Sequence, residues 1–424
     1  MKAFTEPLLS LAGFEEMTKT AEKSSGLISV TGCIDAQKSQ MIYAFGGHRK
    51  NKLIVTFGEQ KAKELYDEYS FFDKEVVYYP SKDVLFYQSD IRGNLLTAER
   101  IRALKAIREQ ERVTIVTTFD ALMNTMAPIE KMWENVLTLE QGQLLDLKEI
   151  QAALIRMGYE KEYQVQTMGQ FSVRGGILDV FPLTEENPIR IELWGDEIDT
   201  IRYFDCESQK SIENTDRVSI YPAAELVLSD EEKAGGIDKL KAEAKRVADK
   251  LRKQMKIEEA HRVTVMADEL TEEWGELSMY AGMDAFLSYF FDERVGLLDY
   301  FKPSDSLIFF DELTRCTEQG KLTETEFSES MKQRLAMGYI LPGQMNGLFT
   351  EKEIVAKLEK YSCIALGALD NKANGLHQLG SYGIHCQSVS PYNNSFELLI
   401  KDLKRYKKNG YRVILLSGSR TRAK

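Results

Sequence analysis

The chain has 424 residues, which is too long for one ordinary domain and favours about three. Its residues are 43% hydrophobic and 29% charged, as in soluble globular proteins. No run of about 18 apolar residues occurs, so we expect no membrane-spanning helix, and the N-terminus lacks the apolar core of a secretory signal. The five cysteines form no CxxC pair, so we expect neither a zinc site nor a disulfide framework.

The net charge of −11 disfavours a protein that grips DNA by itself, since such proteins usually present a basic face. Two basic clusters do occur, at 239–256 and 401–408, each interleaved with apolar residues at helical spacing. This spacing indicates solvated helix faces, and a nucleic-acid patch is the alternative.

Residues 1–125 read as α/β. Short apolar, β-branched runs alternate with helical stretches, and this order predicts parallel βαβ units. The predicted strands cover 27–32, 52–58, 76–80 and 113–119.

Residues 126–213 predict a small α+β domain. A helix is expected over 147–157, and the alternation of apolar and polar residues at 189–194 is the period of a half-buried antiparallel strand. In the following unit, 214–350, a long charged helix is predicted over 237–260. Residues 351–424 predict a further α/β unit, which we expect to be truncated because nothing would cover its sheet.

One loop has part of a phosphate-binding pattern. Gly32, Lys38 and Ser39 fall at three positions of GxxxxGK[ST] after a predicted strand. Gln37 stands where that pattern has glycine, and a side chain there hinders the tight turn around a phosphate. We therefore favour an eroded or chance loop over a working nucleotide site.

A buried strand ends in Asp311 and Glu312. Such a pair can hold magnesium through water and orient an attacking water, as in the second half of an NTPase site. Acidic pairs at strand ends are common, so the signal is weak alone; with the damaged loop it suggests an ancestral site whose catalytic parts are lost. The four histidines neighbour no nucleophile motif, so we predict no catalytic residues and no bound metal.

Arg174 stands before a Gly-Gly pair on a strand-like run, with Phe171 and Val173 on the opposite parity. Guanidinium groups form two-pronged hydrogen bonds with carboxylates and are frequent in interface hot spots, so Arg174 is a candidate docking residue. An internal pair with Asp179 or Glu192 is the alternative.

The stretch GQFSVRGGILDVFP, followed by IRIELWGDEIDTIRYFD, resembles a segment shared by UvrB and the transcription-repair coupling factors. The likeness extends over about residues 26–320 and includes YYPSKDVLFYQSD (78–90) and GLLDYF with FFDEL (296–313). UvrB has an intact phosphate loop, a DExH sequence and a tyrosine-rich hairpin, which this chain lacks. The pattern is therefore similar to the N-terminal module of the coupling factors.

This resemblance implies a RecA-like parallel α/β domain in two halves, 1–125 and 214–350, with a UvrA-binding α+β domain inserted over 126–213. The UvrA-contacting arginine of the family maps onto Arg174. A second basic contact falls near Lys161, where an arginine is expected. Phe171 and Phe181 are candidate apolar neighbours in the patch, with a core position as the alternative for Phe181.

The resemblance also implies a role: recruiting UvrA to stalled RNA polymerase in the bacterial cytoplasm, without ATP hydrolysis by this part. ATP, magnesium, RNA polymerase and double-stranded DNA would belong to the remainder of such a protein. A residual DNA-dependent ATPase using Lys38, Ser39, Asp311 and Glu312, or a DNA-binding scaffold, are the alternatives. We expect a monomer and no membrane partner.

Overall fold

The β-branched runs and helical stretches of the sequence form alternating strands and helices in a computed structural model. The structure describes residues 2–11, 13–23, 25–45, 49–82, 93–276, 282–369, 375–389, 391–393 and 395–415. They fall into two units, 1–384 and 385–424. The predicted motif at 78–90 lies outside the described residues from 83 onward.

The strands of the first unit, in chain order, are β1 (Gly26–Thr31), β2 (Asn51–Thr56), β3 (Val77–Tyr79), β4 (Val113–Thr118), β5 (Leu137–Glu140), β6 (Glu160–Lys161), β7 (Gln170–Arg174), β8 (Ile177–Val180), β9 (Ile189–Trp194), β10 (Glu197–Phe204), β11 (Ser211–Thr215), β12 (Arg217–Ile220), β13 (Ser306–Asp311), β14 (Ser362–Leu366) and β15 (Gln378–Gly383).

The α-helices, in chain order, are α1 (Lys2–Leu9), α2 (Phe14–Lys23), α3 (Asp35–Phe45), α4 (Glu59–Tyr69), α5 (Gly93–Glu109), α6 (Phe119–Met123), α7 (Ile129–Glu134), α8 (Leu147–Arg156), α9 (Asp230–Lys253), α10 (Ile257–Glu276), α11 (Leu287–Phe290), α12 (Leu313–Ala336), α13 (Glu351–Leu358) and, in the second unit, α14 (Phe396–Lys408). No described helix is long and apolar enough to cross a membrane.

A seven-stranded parallel sheet forms the centre of the first unit, in the order β15-β1-β14-β13-β2-β4-β3. Both of its faces are covered. On β2, Leu53 and Val55 pack into one apolar core while Ile54 packs into the other. The strands come from two parts of the chain, 26–118 and 306–383, which confirms the predicted fold class.

The segment between these two parts contains a second sheet, which we call the inserted sheet. Its six strands lie in the order β11-β10-β9-β8-β7-β6, antiparallel except for the short β6–β7 pair. One face packs with α8 around a core that includes Leu154, Leu178 and Ile191. The predicted α+β character of the inserted segment is thereby confirmed.

The helix predicted over 237–260 is two helices instead. The chain turns at Met255, whose φ of 62° is left-handed, and α9 packs against α10 around an apolar core that includes Leu240 and Val263. A capping box of Ser229 and Glu232 sets the start of α9. Charge and apolar periodicity continue across the turn, which is why the sequence suggested one helix.

We expected 351–424 to form a separate α/β unit, but its first two strands belong to the central sheet of the first unit. Both β14 and β15 pair in parallel with β1, and so extend the central sheet. In the second unit the predicted helix is present as α14. The strand predicted from Tyr411 is not formed over the described residues 411–415.

Candidate functional site

The inserted sheet has one apolar and one polar face, and strand β7 shows why. Phe171 is wholly buried, and Val173 packs against the same core. Ser172 and Arg174 alternate with them and therefore point to the opposite face. Strand pairing carries this face across four strands, through the rows Ser172, Asp179, Arg190, Arg202 and Arg174, Ile177, Glu192, Thr200. We call it the arginine face.

A single buried carboxylate organises the arginine face. Asp179 is 1% exposed and accepts hydrogen bonds from Arg174 Nη2 at 2.8 Å, Arg190 Nε at 2.7 Å and Arg190 Nη2 at 2.8 Å. The hydrogen bond to Asp179 raises the pKa of Arg190. Asp179 thus holds two guanidinium groups side by side.

Arg174 is in an ion pair and still reaches solvent. Its side chain is 36% exposed, against 12% for Arg190. Among the described residues, Asp179 is the hydrogen-bond partner that the structure gives its guanidinium. The remaining donors of the planar group are therefore open to an external acceptor, while Asp179 fixes its orientation.

A second pair lies beside the first. Arg202 donates from Nη1 to Glu192 Oε2 at 3.0 Å and from Nη2 to Glu192 Oε1 at 2.5 Å. The hydrogen bond from Arg202 lowers the pKa of Glu192. Near neutral pH both groups are therefore charged and oriented.

The turn after Arg174 is hydrogen-bonded to the β9–β10 hairpin. Gly175 has a φ of 61°, a left-handed conformation that glycine adopts without strain. The N–H of Leu193 donates to the carbonyl of Gly176 at 2.8 Å. The β7–β8 and β9–β10 turns therefore lie at the same end of the inserted sheet.

The predicted phosphate loop has a different shape from a phosphate cradle. Helix α3 begins at Asp35, so Gln37 is already helical and its N–H donates to the carbonyl of Ile34. The N–H groups of Gly32 and Cys33 donate to the carbonyls of Ala368 and Gly367. These three backbone donors of the loop are thus bonded within the protein.

Another part of the chain also lies directly against this loop. Gly32 has a φ of 80°, and a Cβ atom placed on it would be 2.0 Å from the carbonyl oxygen of Ile384. Glycine at this position therefore admits the backbone of Ile384.

Lys38 is enclosed by carboxylates. Its Nζ lies 2.9 Å from Asp35 Oδ1, 2.5 Å from Asp311 Oδ1 and 3.0 Å from Glu312 Oε1, and its side chain is 1% exposed. Burial by itself lowers the pKa of Lys38, but the negative charge of Asp311 and the hydrogen bonds to the three carboxylates raise it well above its ordinary value. We call these four residues the charge cage.

The two carboxylates at the end of β13 have further internal partners. Asp311 Oδ2 accepts a hydrogen bond from Thr56 Oγ1 at 2.8 Å, and Glu312 Oε1 accepts one from the N–H of Ala368 at 3.1 Å. Glu312 has a left-handed φ of 59°, a conformation that costs energy for a residue with a side chain. The internal partners of Glu312 offset that cost.

The charge cage does not fit a complex of magnesium and nucleotide. The lysine that would neutralise phosphate is bound by the carboxylates that would face magnesium. Ser39 Oγ, the other predicted ligand, lies 3.4 Å from Glu68 Oε2, whose pKa is raised by burial. Over the described ranges, no group of three or more His, Cys, Asp or Glu residues is arranged to hold a metal.

Comparison with known proteins finds a family model that matches the segment containing the inserted sheet. Residues 137–226 match the family model described as the UvrB interaction domain. This segment is therefore similar to the UvrB interaction domain. The match includes β5 to β12 and therefore the whole arginine face; it begins and ends later than the predicted 126–213.

The chain is also similar to transcription-repair-coupling factors along most of its length. It is 27% identical to the Bacillus subtilis protein over 376 residues, which is 87% of this chain and 31% of the relative. It is 26% identical to the Staphylococcus aureus MRSA252 protein over 422 residues, 96% of this chain and 34% of the relative. The predicted resemblance is confirmed, and the chain spans about a third of the length of these relatives.

The four predicted contact residues of the matched segment differ in exposure and in the face on which they lie. Arg174 lies on the arginine face, and Lys161 is exposed on β6 with its Nζ 2.7 Å from Gln151 Oε1. Phe171 is 0% exposed and Phe181 is 9% exposed. This corrects the expectation for Phe171, which supports the sheet from the core side, and for Phe181 it favours the core alternative.

Two features of the site were not predicted. Arg190 shares Asp179 with Arg174, and the alternation of Ile189 and Ile191 was the signal that placed it on the polar face. The sequence grouped Lys38 with Asp311 and Glu312 as parts of an eroded nucleotide site, but it did not predict Asp35 as a partner or an ion pair between residues 273 positions apart.

Proposed function

We propose that this chain is the UvrA-binding part of a transcription-repair coupling factor, and that the arginine face of its UvrB interaction domain contacts UvrA. The observation that carries the proposal is that Arg174 remains 36% exposed on this face within the family-matched segment. Similarity to the coupling factors supports the cellular role.

Arg174 supplies the contact through its guanidinium group. Asp179 fixes the group before the partner arrives, so binding costs little side-chain entropy. The exposed nitrogens then pair with a carboxylate of UvrA, a geometry that a planar guanidinium provides and an ammonium does not. Lys161 pairs with Phe171 across β6 and β7 and donates to Gln151 on α8, so it lies on the other face of the sheet and we assign it no part in this contact.

The test is calorimetric titration of this chain with UvrA. Arg174→Ala is expected to weaken binding by about 2 kcal/mol or more, as for an interface hot spot. Arg174→Lys should recover only part of this loss, because the charge returns without the planar fork. Unchanged affinity in Arg174→Ala would eliminate the proposed contact.

Arg217→Ala is the matched control. Arg217 belongs to the same domain, is 65% exposed and pairs with Glu140 at 3.2 Å, but it lies on β12 outside the inserted sheet. We expect it to bind UvrA as the wild type does. Thermal unfolding of each variant checks that the domain is folded, since Asp179 keeps two hydrogen bonds from Arg190.

We further propose that this chain does not hydrolyse ATP. The proposal is supported by the charge cage, in which Lys38 is bound by Asp35, Asp311 and Glu312. Titration of the chain with ATP and magnesium should release no saturable heat, and DNA should not stimulate phosphate release. Saturable binding that disappears in Lys38→Ala would overturn this proposal and favour a residual ATPase.

The longer relatives suggest what accompanies this part. We propose that the remainder of the full-length protein contacts RNA polymerase and double-stranded DNA, and uses ATP and magnesium. A coupling of repair to transcription takes place at the bacterial chromosome, so we propose a cytoplasmic location. Co-purification of UvrA with the polymerase-bound full-length protein, lost in Arg174→Ala, would link this surface to the cellular role.

A further inference from the structure

An exposed apolar pair lies at the end of the inserted sheet beside Arg174. Trp194 is 85% exposed and Leu144 is 74% exposed. Both pair with Glu197, Trp194 from β9 and Leu144 through an isolated antiparallel bridge. Residues paired across antiparallel strands share a face, so the two side chains flank Glu197 on one side of the sheet. We call Trp194 and Leu144 the tip patch.

The tip patch is continuous with the arginine face. On β9, Arg190, Glu192 and Trp194 alternate with Ile189, Ile191 and Leu193 and so lie on one face. Glu192 pairs with Ile177, which pairs with Arg174. Trp194 is therefore one row beyond the row of Arg174, at the end where the two turns meet.

Such exposure is unusual for tryptophan within this chain. The sequence has three tryptophans; Trp274 is fully buried, and Trp133 packs partly buried against the main core. An exposed tryptophan leaves a large apolar area in contact with water that a partner could bury. Tryptophan and arginine are both enriched in interface hot spots.

We propose that Trp194 is the apolar anchor of the UvrA contact, with Leu144 packing beside it. This inference rests on the proposed function and adds the chemistry of the partner: UvrA presents an apolar pocket next to a carboxylate. The carboxylate pairs with Arg174, while the pocket receives the indole ring and excludes water from the neighbouring ion pair. An ion pair shielded from water in this way resists salt better than an exposed one.

The first measurement follows Trp194 directly. The chain is labelled with 5-fluorotryptophan, and its three fluorine resonances are assigned with Trp194→Phe. Addition of unlabelled UvrA is expected to shift or broaden the Trp194 resonance and to leave the buried Trp274 resonance in place. A complex detected by calorimetry in which the Trp194 resonance does not change would overturn the inference.

The second measurement is affinity. Trp194→Ala is expected to weaken UvrA binding about thirtyfold or more, and Trp194→Phe to recover most of the loss because an aromatic ring remains. Leu144→Ala should weaken binding less. The matched controls are Tyr339→Ala and Leu322→Ala, whose side chains are 53% and 51% exposed outside the UvrB interaction domain, and they should bind within twofold of the wild type.

The outcomes separate the two proposals. Absence of any binding by the wild type contradicts the proposed function and, with it, the anchor. Loss of affinity in Arg174→Ala with full affinity in Trp194→Ala overturns the anchor and leaves the arginine contact standing. Loss in Trp194→Ala with full affinity in Arg174→Ala supports the anchor and removes the role of Arg174.

Discussion

Arg174 and Lys38 are both basic residues held by carboxylates, and exposure separates what they can do. Lys38 is 1% exposed and has three carboxylate partners, so its charge is neutralised by groups inside the protein. Arg174 is 36% exposed with one carboxylate partner, so its charge is oriented and still available. In the first arrangement the charges compensate each other inside the fold, whereas the second leaves a group that can bind a partner.

Lys38→Met should destabilise the protein substantially. The substitution retains an apolar stem but leaves Asp311, which is also 1% exposed, without its ammonium partner. Breaking a buried ion pair from one side costs about 3–5 kcal/mol, because an uncompensated charge stays in the interior. Urea denaturation, monitored by circular dichroism, gives the free energy of unfolding of the variant and the wild type.

Lys61→Met serves as the control for Lys38→Met. Lys61 also pairs with Asp35, at 3.1 Å, but the Asp35 side chain is 65% exposed. A pair with so exposed a partner contributes about 1 kcal/mol or less. Equal losses in the two variants would mean that burial of the charge cage adds nothing to stability.

At the scale of elements, hydrophobic periodicity predicted the strands, because the burial of each strand face follows from residues close together in the sequence. The β-branched runs became β1, β2 and β4 because a strand buried on both faces needs an unbroken apolar run. The alternation at 189–194 became β9, with one face in the core. The period of two along 170–174 likewise predicted that Arg174 and Phe171 point to opposite faces, as they do in β7.

What the sequence could not predict depends on contacts between distant segments. The backbone of Ile384 closes over Gly32, and β14 enters the central sheet between β1 and β13. Neither leaves a local pattern. The partial GxxxxGK[ST] pattern and the acidic strand end identified Lys38, Asp311 and Glu312, but the direct ion pairs among them and the part of Asp35 depend on how the strands are assembled.

At the scale of the whole molecule, one buried cluster joins α5, the central sheet and the C-terminal end of the segment that matches the UvrB interaction domain. Arg100 on α5 is 0% exposed and donates to Glu225 from Nε at 2.7 Å and from Nη2 at 3.1 Å. It also donates to the hydroxyl of Tyr79 on β3. Lys82 adds a second positive charge, 3.2 Å from Glu225.

This cluster makes the free energy of unfolding depend on pH. Burial alone raises the pKa of Glu225, but the charges of Arg100 and Lys82 outweigh it and lower the pKa to about 2 from an ordinary value of 4.5. A carboxylate with a lowered pKa stabilises the fold fully above its unfolded value and loses this contribution as the pH falls through its folded value. The contribution is about 3 kcal/mol and is lost between pH 4.5 and 2.

Glu225→Gln tests this linkage. The variant should be less stable than the wild type at pH 6, because Arg100 is left buried beside a neutral amide, and the difference should narrow as the pH is lowered to 3. Urea denaturation at both pH values gives the four free energies of unfolding. Glu231→Gln is the control, since Glu231 is exposed in the first turn of α9, and its stability should stay close to that of the wild type at both pH values. The assignment is contradicted if the difference in free energy of unfolding between the wild type and Glu225→Gln is the same at pH 6 and pH 3. Protonation of Glu225 would then not change the stability of the wild type.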